Sequence, residues 1–143
     1  MRVNKLARQL GVTADTVRFY TRNGFLTPHK DANNGYKEYR QADLRRLRFI
    51  LSARQLGFSV DDIGQLLKEA DGDKTPCPLA RELIEQRLDE MERRYEDATL
   101  LIRRMRAAVE EWRRQPDRKP TGQMICHLVE NFSSELEDEQ HEY

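Results

Sequence analysis

The sequence predicts a mainly α chain in three parts: a winged helix-turn-helix head, a long coiled-coil dimerisation helix and a C-terminal loop. Three observations carry that expectation. The first forty residues hold two short helical patterns around a glycine corner, followed by a Gly- and Tyr-bearing ribbon. Apolar residues then recur at alternating spacings of four and three from Ile84 to Trp112. Polar breaker segments, Asp71-Gly72-Asp73-Lys74-Thr75-Pro76 and the run from Arg113 to Gly122, flank that pattern.

Val3, Leu6, Ala7 and Leu10 share one face of a first helix, and Gly11 breaks it where a helix-turn-helix needs a tight corner. Thr13 is a cap for a second helix from about Ala14 to Asn23, with Val17 and Phe19 expected to face the core. Asp15, Thr16, Arg18, Tyr20 and Arg22 are distributed over the other faces, and Gly24 stands at the C′ position. Asn33-Asn34-Gly35 signals a turn, preceded by Lys30 and followed by the short basic and aromatic strand Tyr36-Lys37-Glu38-Tyr39-Arg40.

Such a head suits nucleic acid. The expected DNA-facing set is Thr13, Thr16, Arg18, Tyr20 and Arg22 from the helix, with Tyr36, Lys37, Tyr39 and Arg40 from the ribbon. The Arg18 fork fits a guanine edge or a phosphate, and position alone does not separate reading from anchoring. Charge agrees: the chain is neutral overall, yet residues 1 to 69 hold 13 Lys/Arg against 7 Asp/Glu and the remainder 12 against 18. A basic head is joined to an acidic body.

A third helix, Gln41 to about Leu56, is marked by Leu44, Leu47, Ile50 and Leu51, with Arg45, Arg46 and Arg48 expected to extend the basic surface. Ser59 caps a fourth, Val60 to about Glu69, whose first turn carries Asp61 and Asp62. This second helix pair is expected to serve packing rather than base reading.

Ile84, Leu88, Met91, Tyr95, Ala98, Ile102, Met105, Val109 and Trp112 form a heptad seam. So narrow a stripe needs a second copy to cover it, and a two-fold homodimer suits an operator read as two half-sites. Periodicity leaves the direction of the pair open. The 35% charged content is high for a sealed globule and agrees with an interface outside the single chain.

Val17-Arg18-Phe19-Tyr20, Gly24-Phe25-Leu26, Gly35 to Arg40, Asp43 to Ile50 and Leu56 to Ile63, in that order, resemble the MerR family of bacterial transcription regulators over the first half of the chain. Thr21 departs from the acidic residue usual there. The resemblance implies an antiparallel pairing of the long helices. It also implies double-stranded promoter DNA as ligand, RNA polymerase as a partner at that promoter, and distortion of an overlong spacer.

Cys77 begins the long helix in phase with its seam, either as a small apolar residue or as a ligand, and Cys126-His127-Leu128-Val129 follows the second breaker. In an antiparallel dimer Cys126 falls beside Cys77 of the other subunit. The stretch from Cys126 to Phe132 resembles the metal-loop ending of the metal-sensing branch of the family, and Cys77 resembles the helix-start cysteine of its divalent-ion sensors. The implied cofactor is a soft metal ion, zinc or cadmium first, held by Cys77, Cys126 and His127. His127 serves equally well as a hydrogen-bonded loop residue. The branch's further cysteine at the loop start is absent, which keeps two alternatives: a redox or electrophile sensor using Cys77 and Cys126, or a copper(I) sensor.

The expected organisation is a head over 1–70, a hinge over 71–78, a dimerisation helix over 79–114, an effector loop and short helix over 115–132, and an acidic flexible tail over 133–143. No apolar run reaches the length of a membrane span and no secretory core opens the chain, so a cytoplasmic protein is expected, with reduced cysteines. Neither a phosphate-cradling glycine loop nor a Ser-His-acid set supports an enzyme. A coiled-coil scaffold with an incidental basic head is the remaining class, separated by specific, salt-sensitive promoter binding.

Overall fold

The computed structural model describes residues 1–132; the tail expected over 133–143 lies outside them. The order is α1 (Val3–Leu10), α2 (Ala14–Arg22), β1 (His29–Lys30), β2 (Lys37–Glu38), α3 (Gln41–Gln55), α4 (Val60–Asp71) and α5 (Cys77–Trp112), with residues 127–132 again helical. The helices of the head end within two residues of the sequence expectation. α4 runs on to Asp71 and the long helix begins at Cys77, which leaves residues 72–76 between them.

Local chemistry accounts for the ends. Gly11 adopts φ +68°, and the Val12 amide reaches back to the Ala7 carbonyl at 3.0 Å, closing α1 in a left-handed cap. Thr13 Oγ1 accepts from the Thr16 amide at 3.2 Å and caps α2. Ser59 and Asp62 form a reciprocal box at the start of α4, with bonds of 2.9 and 3.0 Å. The wing is a two-stranded antiparallel ribbon, His29 opposite Glu38 and Lys30 opposite Lys37. Its turn is held by the Asp31 and Asn34 side chains, which accept from the amides of Asn33 and Tyr36.

Two compact units divide the chain, Met1–Glu90 and the part from Met91 onward. In the first, Leu6, Val17, Leu26, Leu47, Ile50 and Ile63 form a core with almost no exposure, and Leu83 of α5 joins it. Burying each such aliphatic side chain stabilises by roughly 2 kcal/mol, which is what holds α1 to α4 and the wing together. Ile84, expected on the seam, is half-buried against this core. Gly64 of α4 faces Phe25: a Cβ built there would lie 3.3 Å from the ring. That ring stacks on Tyr20 with centroids 5.9 Å apart.

In the second unit, Ala108 is buried, the Trp112 ring meets Phe132 edge-on at 6.3 Å, and the Thr121 amide donates to the Met124 carbonyl at 2.9 Å. Met91, Tyr95, Ile102, Met105 and Val109 leave a large share of their surface exposed in the single chain, as does Leu88 before them. No helix among the described residues is long and apolar enough to cross a membrane.

Candidate nucleic-acid interface and effector loop

On α2, Arg18 and Arg22 lie four residues apart and both are exposed; Arg18 is ion-paired with Asp15 at 3.0 Å. The hydroxyls of Thr13 and Thr16 are 3.0 Å apart, binding the helix start to itself. Tyr20 and Phe19 exchange their expected places. Tyr20, three residues after Val17, shares its inward face and is only 6% exposed, whereas Phe19 points out at 39%. The expected DNA anchor Tyr20 is therefore a core residue, and the expected core residue Phe19 belongs to the outer face.

The wing requires a second correction. Tyr39 is 3% exposed and its hydroxyl lies 2.8 Å from Thr21 Oγ1, which also donates to the Val17 carbonyl at 2.8 Å. Tyr39 follows β2, where its amide donates to the Met1 carbonyl at 2.6 Å, and its ring enters the core while Lys37 and Arg40 stay exposed. Thr21, the departure from the usual family residue, thus ties the recognition helix to the wing with a neutral bond. Tyr36 and Lys37 remain exposed, and the Arg2 guanidinium sits 4.5 Å above the Tyr36 ring. Arg40 is exposed yet donates to the Thr27 carbonyl at 3.0 Å.

Two buried carboxylates escaped sequence reasoning. Asp43, 2% exposed, accepts from the amides of Thr27 and Arg40, both at 3.0 Å, and so fixes the chain leaving α2 to the chain leaving the wing. Its place three residues after the Arg40 N-cap was the available signal, masked because the cap is not Ser, Thr, Asn or Asp. Asp62 is the other, paired with Arg87. Arg46 corrects the expected basic surface: it donates to the Phe25 carbonyl at 2.7 Å and grips Asp71 with both terminal nitrogens, at 2.7 and 3.3 Å. Arg45 and Arg48 do remain exposed.

Both cysteines are free thiols. Cys77 is exposed at the start of α5, and Cys126 is half-buried where the last helical segment begins. Glu130 Oε2 accepts from the amides of Ile125 and Cys126 at 3.0 and 2.8 Å, capping that segment. His127 is 6% exposed with Nε2 2.9 Å from the Pro116 carbonyl. Donation by Nε2 leaves the lone pair on Nδ1. Among the described residues of one chain, no three His, Cys, Asp or Glu side chains converge on a metal position. The thiols are soft donors, but the described residues of one chain do not complete a site with them.

A model of MerR HTH family regulatory proteins matches residues 1–70, and one described as MerR, DNA binding matches residues 44–108. A mercuric resistance operon regulatory protein of Pseudomonas fluorescens is 36% identical over 109 residues, 76% of this chain and 72% of that protein. The chain belongs to the MerR family. It is similar as well to the HTH-type transcriptional regulator ZntR of Escherichia coli K12, 36% identical over 94 residues, covering 65% of this chain and 67% of that one. Among solved structures, the regulator PbrR691 of Ralstonia metallidurans CH34 in complex with lead(II) matches with a TM-score of 0.70 at 25% identity, over 91% of this chain and 98% of that one. As a MerR-family member the chain is a DNA-binding regulatory protein and not an enzyme.

Proposed function

We propose that this MerR-family protein is a homodimeric transcription regulator that binds a palindromic promoter and answers to a soft divalent metal ion, zinc or cadmium first. The observation that carries the metal reading is the pair of free thiols at two helix starts, Cys77 opening α5 and Cys126 opening the last helical segment. Relatives named for mercury resistance, and a similar structure holding lead(II), support the same class of ion.

Exposed apolar positions from Leu88 to Val109 support pairing of two α5 helices. In an antiparallel pair, Cys77 of one subunit and Cys126 of the other would hold the ion, whose double charge draws two thiolates together. His127, bonded through Nε2 to Pro116, holds the loop in place for Cys126 and keeps Nδ1 as the nearest further nitrogen donor. Glu130 fixes the backbone on which Cys126 sits.

The head reads DNA through Arg18, Arg22 and the outward face of α2, while Tyr36, Lys37 and Arg40 grip the backbone from the wing. Ordering of the loop biases the dimer toward one of two arrangements of its heads, a coupling of typically about 1 to 3 kcal/mol. The preferred arrangement bends or untwists the promoter spacer and realigns the elements that RNA polymerase reads. The residues expected to act are thus Thr13, Thr16, Arg18, Arg22, Tyr36, Lys37 and Arg40 toward DNA, and Cys77, Cys126 and His127 toward the ion. The division into head, hinge, dimerisation helix and effector loop is proposed with the same boundaries, the loop and short helix occupying residues 115–132.

Anaerobic titration of the fully reduced protein with Zn(II), Cd(II), Hg(II), Pb(II) and Cu(I), repeated with Cys77→Ser and Cys126→Ser, tests this. Tight divalent binding lost in either variant is expected. Tight Cu(I) binding indifferent to Cys77 moves the reading to a copper sensor. A second reading, a redox or electrophile sensor, is favoured by the absence of a three-donor cluster among the described residues of one chain. It predicts a covalent mass gain at one thiol and no stoichiometric ion.

A further inference from the structure

We infer that Arg2, outside the helix-turn-helix and the wing, is a third point of contact with the DNA backbone, binding a phosphate in a groove beside the wing. The groove, about 470 Å³, is lined by Arg2, Asn4, Arg18, Tyr36 and Lys37, with Gly35 at its edge. Three cationic side chains therefore share one opening that includes the recognition helix and the wing tip. Among the described residues Arg2 pairs with Glu38, at 3.9 Å from Nε, and Glu38 is closer to the Met1 ammonium, at 3.1 Å.

The guanidinium is placed rather than free. Its stacking on Tyr36 at 4.5 Å keeps it over the wing, and its side chain is still 55% exposed. A guanidinium held by its face on an aromatic ring leaves its N–H edge available for the fork-like contacts that phosphate oxygens accept. A base edge is the poorer partner, because Arg2 precedes α1 and is not on the outer face of α2, although it lines the same groove as Arg18. The contact positions the head without reading sequence.

This inference rests on the DNA-binding reading, and one experiment separates the two. The full-length protein selects duplexes from a randomised pool, and the selected duplex is used to measure affinity between 50 and 300 mM salt, about a range in which phosphate contacts weigh heavily, for the parent, Arg2→Ala and Arg2→Lys. Arg2→Ala is expected to bind about tenfold more weakly and to lower the salt slope by about one per subunit, with the selected sequence unchanged. Arg2→Lys is expected to keep the slope and recover part of the affinity. Unchanged affinity and slope in a folded Arg2→Ala protein, or a changed sequence preference, overturns the phosphate contact. Failure of the parent to select any duplex overturns the DNA-binding reading, and the inference with it.

Discussion

Arg87 Nε of α5 lies 2.9 Å from Asp62 Oδ2 of α4, against a carboxylate that is 2% exposed. The contact is one of charge more than of aligned hydrogen bonding, since that Nε has no geometrically satisfactory acceptor. Asp62 meanwhile accepts from the Ser59 amide, so one carboxylate both caps α4 and holds the start of α5. Asp62→Ala removes both the cap and the buried partner of Arg87, which keeps Glu90 at 2.7 Å as its ion-pair partner, and is expected to destabilise the protein by about 3 kcal/mol. Ser59→Ala, which removes only the cap, should cost about 1 kcal/mol. Urea unfolding of both variants checks this; equal losses would mean that Arg87 contributes nothing.

Tyr39 tests the corrected wing. Its hydroxyl is engaged with Thr21, and its ring is in the core. Tyr39→Phe should lower stability by about 1 kcal/mol while leaving promoter affinity within about twofold, since only an internal hydrogen bond is lost. Arg18→Ala should do the reverse, weakening DNA binding about tenfold or more with little effect on unfolding. A large affinity loss in a folded Tyr39→Phe protein would return Tyr39 to the DNA surface.

Ile102 probes the seam. Its side chain is about half exposed in the single chain, and a glutamate there would place two carboxylates into a paired apolar stripe. Sedimentation equilibrium of Ile102→Glu is expected to give a monomer at concentrations where the parent is a dimer, the affinity falling by at least about two orders of magnitude. A dimer of unchanged affinity would put the partner surface elsewhere.

His127 distinguishes a post from a ligand. With Nε2 bonded to Pro116, His127→Ala should loosen the loop and weaken metal binding about tenfold while stoichiometry holds, as outer-shell losses typically do. Cys126→Ser should abolish tight binding. If the two variants lose binding equally, His127 ligates directly.

Helices and turns were legible because their signals are local. Gly11, Thr13, Ser59 and the Asn33-Asn34-Gly35 turn each act within a few residues, and the observed ends follow them closely. What failed was the direction of individual side chains. Phe19 and Tyr20 are adjacent aromatics, and composition gives no reason to bury one over the other; spacing from Val17 decides it. Arg46 looked like surface because its partners, Phe25 and Asp71, lie 21 and 25 residues away. Asp43 hid for the same reason: its amide partner at Thr27 is brought near only once the wing folds back. Family membership was readable from motif order, whereas the proposed joining of Cys77 with Cys126 calls for a second chain that no single sequence displays.

Gly64 constrains how this head can diverge. A glycine inside a helix costs about 1 kcal/mol relative to alanine, so drift toward alanine would ordinarily be welcome at that position. Here an added methyl would lie 3.3 Å from Phe25, and Phe25 in turn rests on Tyr20 of the recognition helix. A substitution on α4, remote from the outer face of α2, would therefore nudge the helix proposed to meet the promoter. Lineages that alter position 64 should carry a smaller ring or a repacked aromatic pair at 20 and 25, and a change of operator preference would then begin from a helix outside the proposed DNA-facing set.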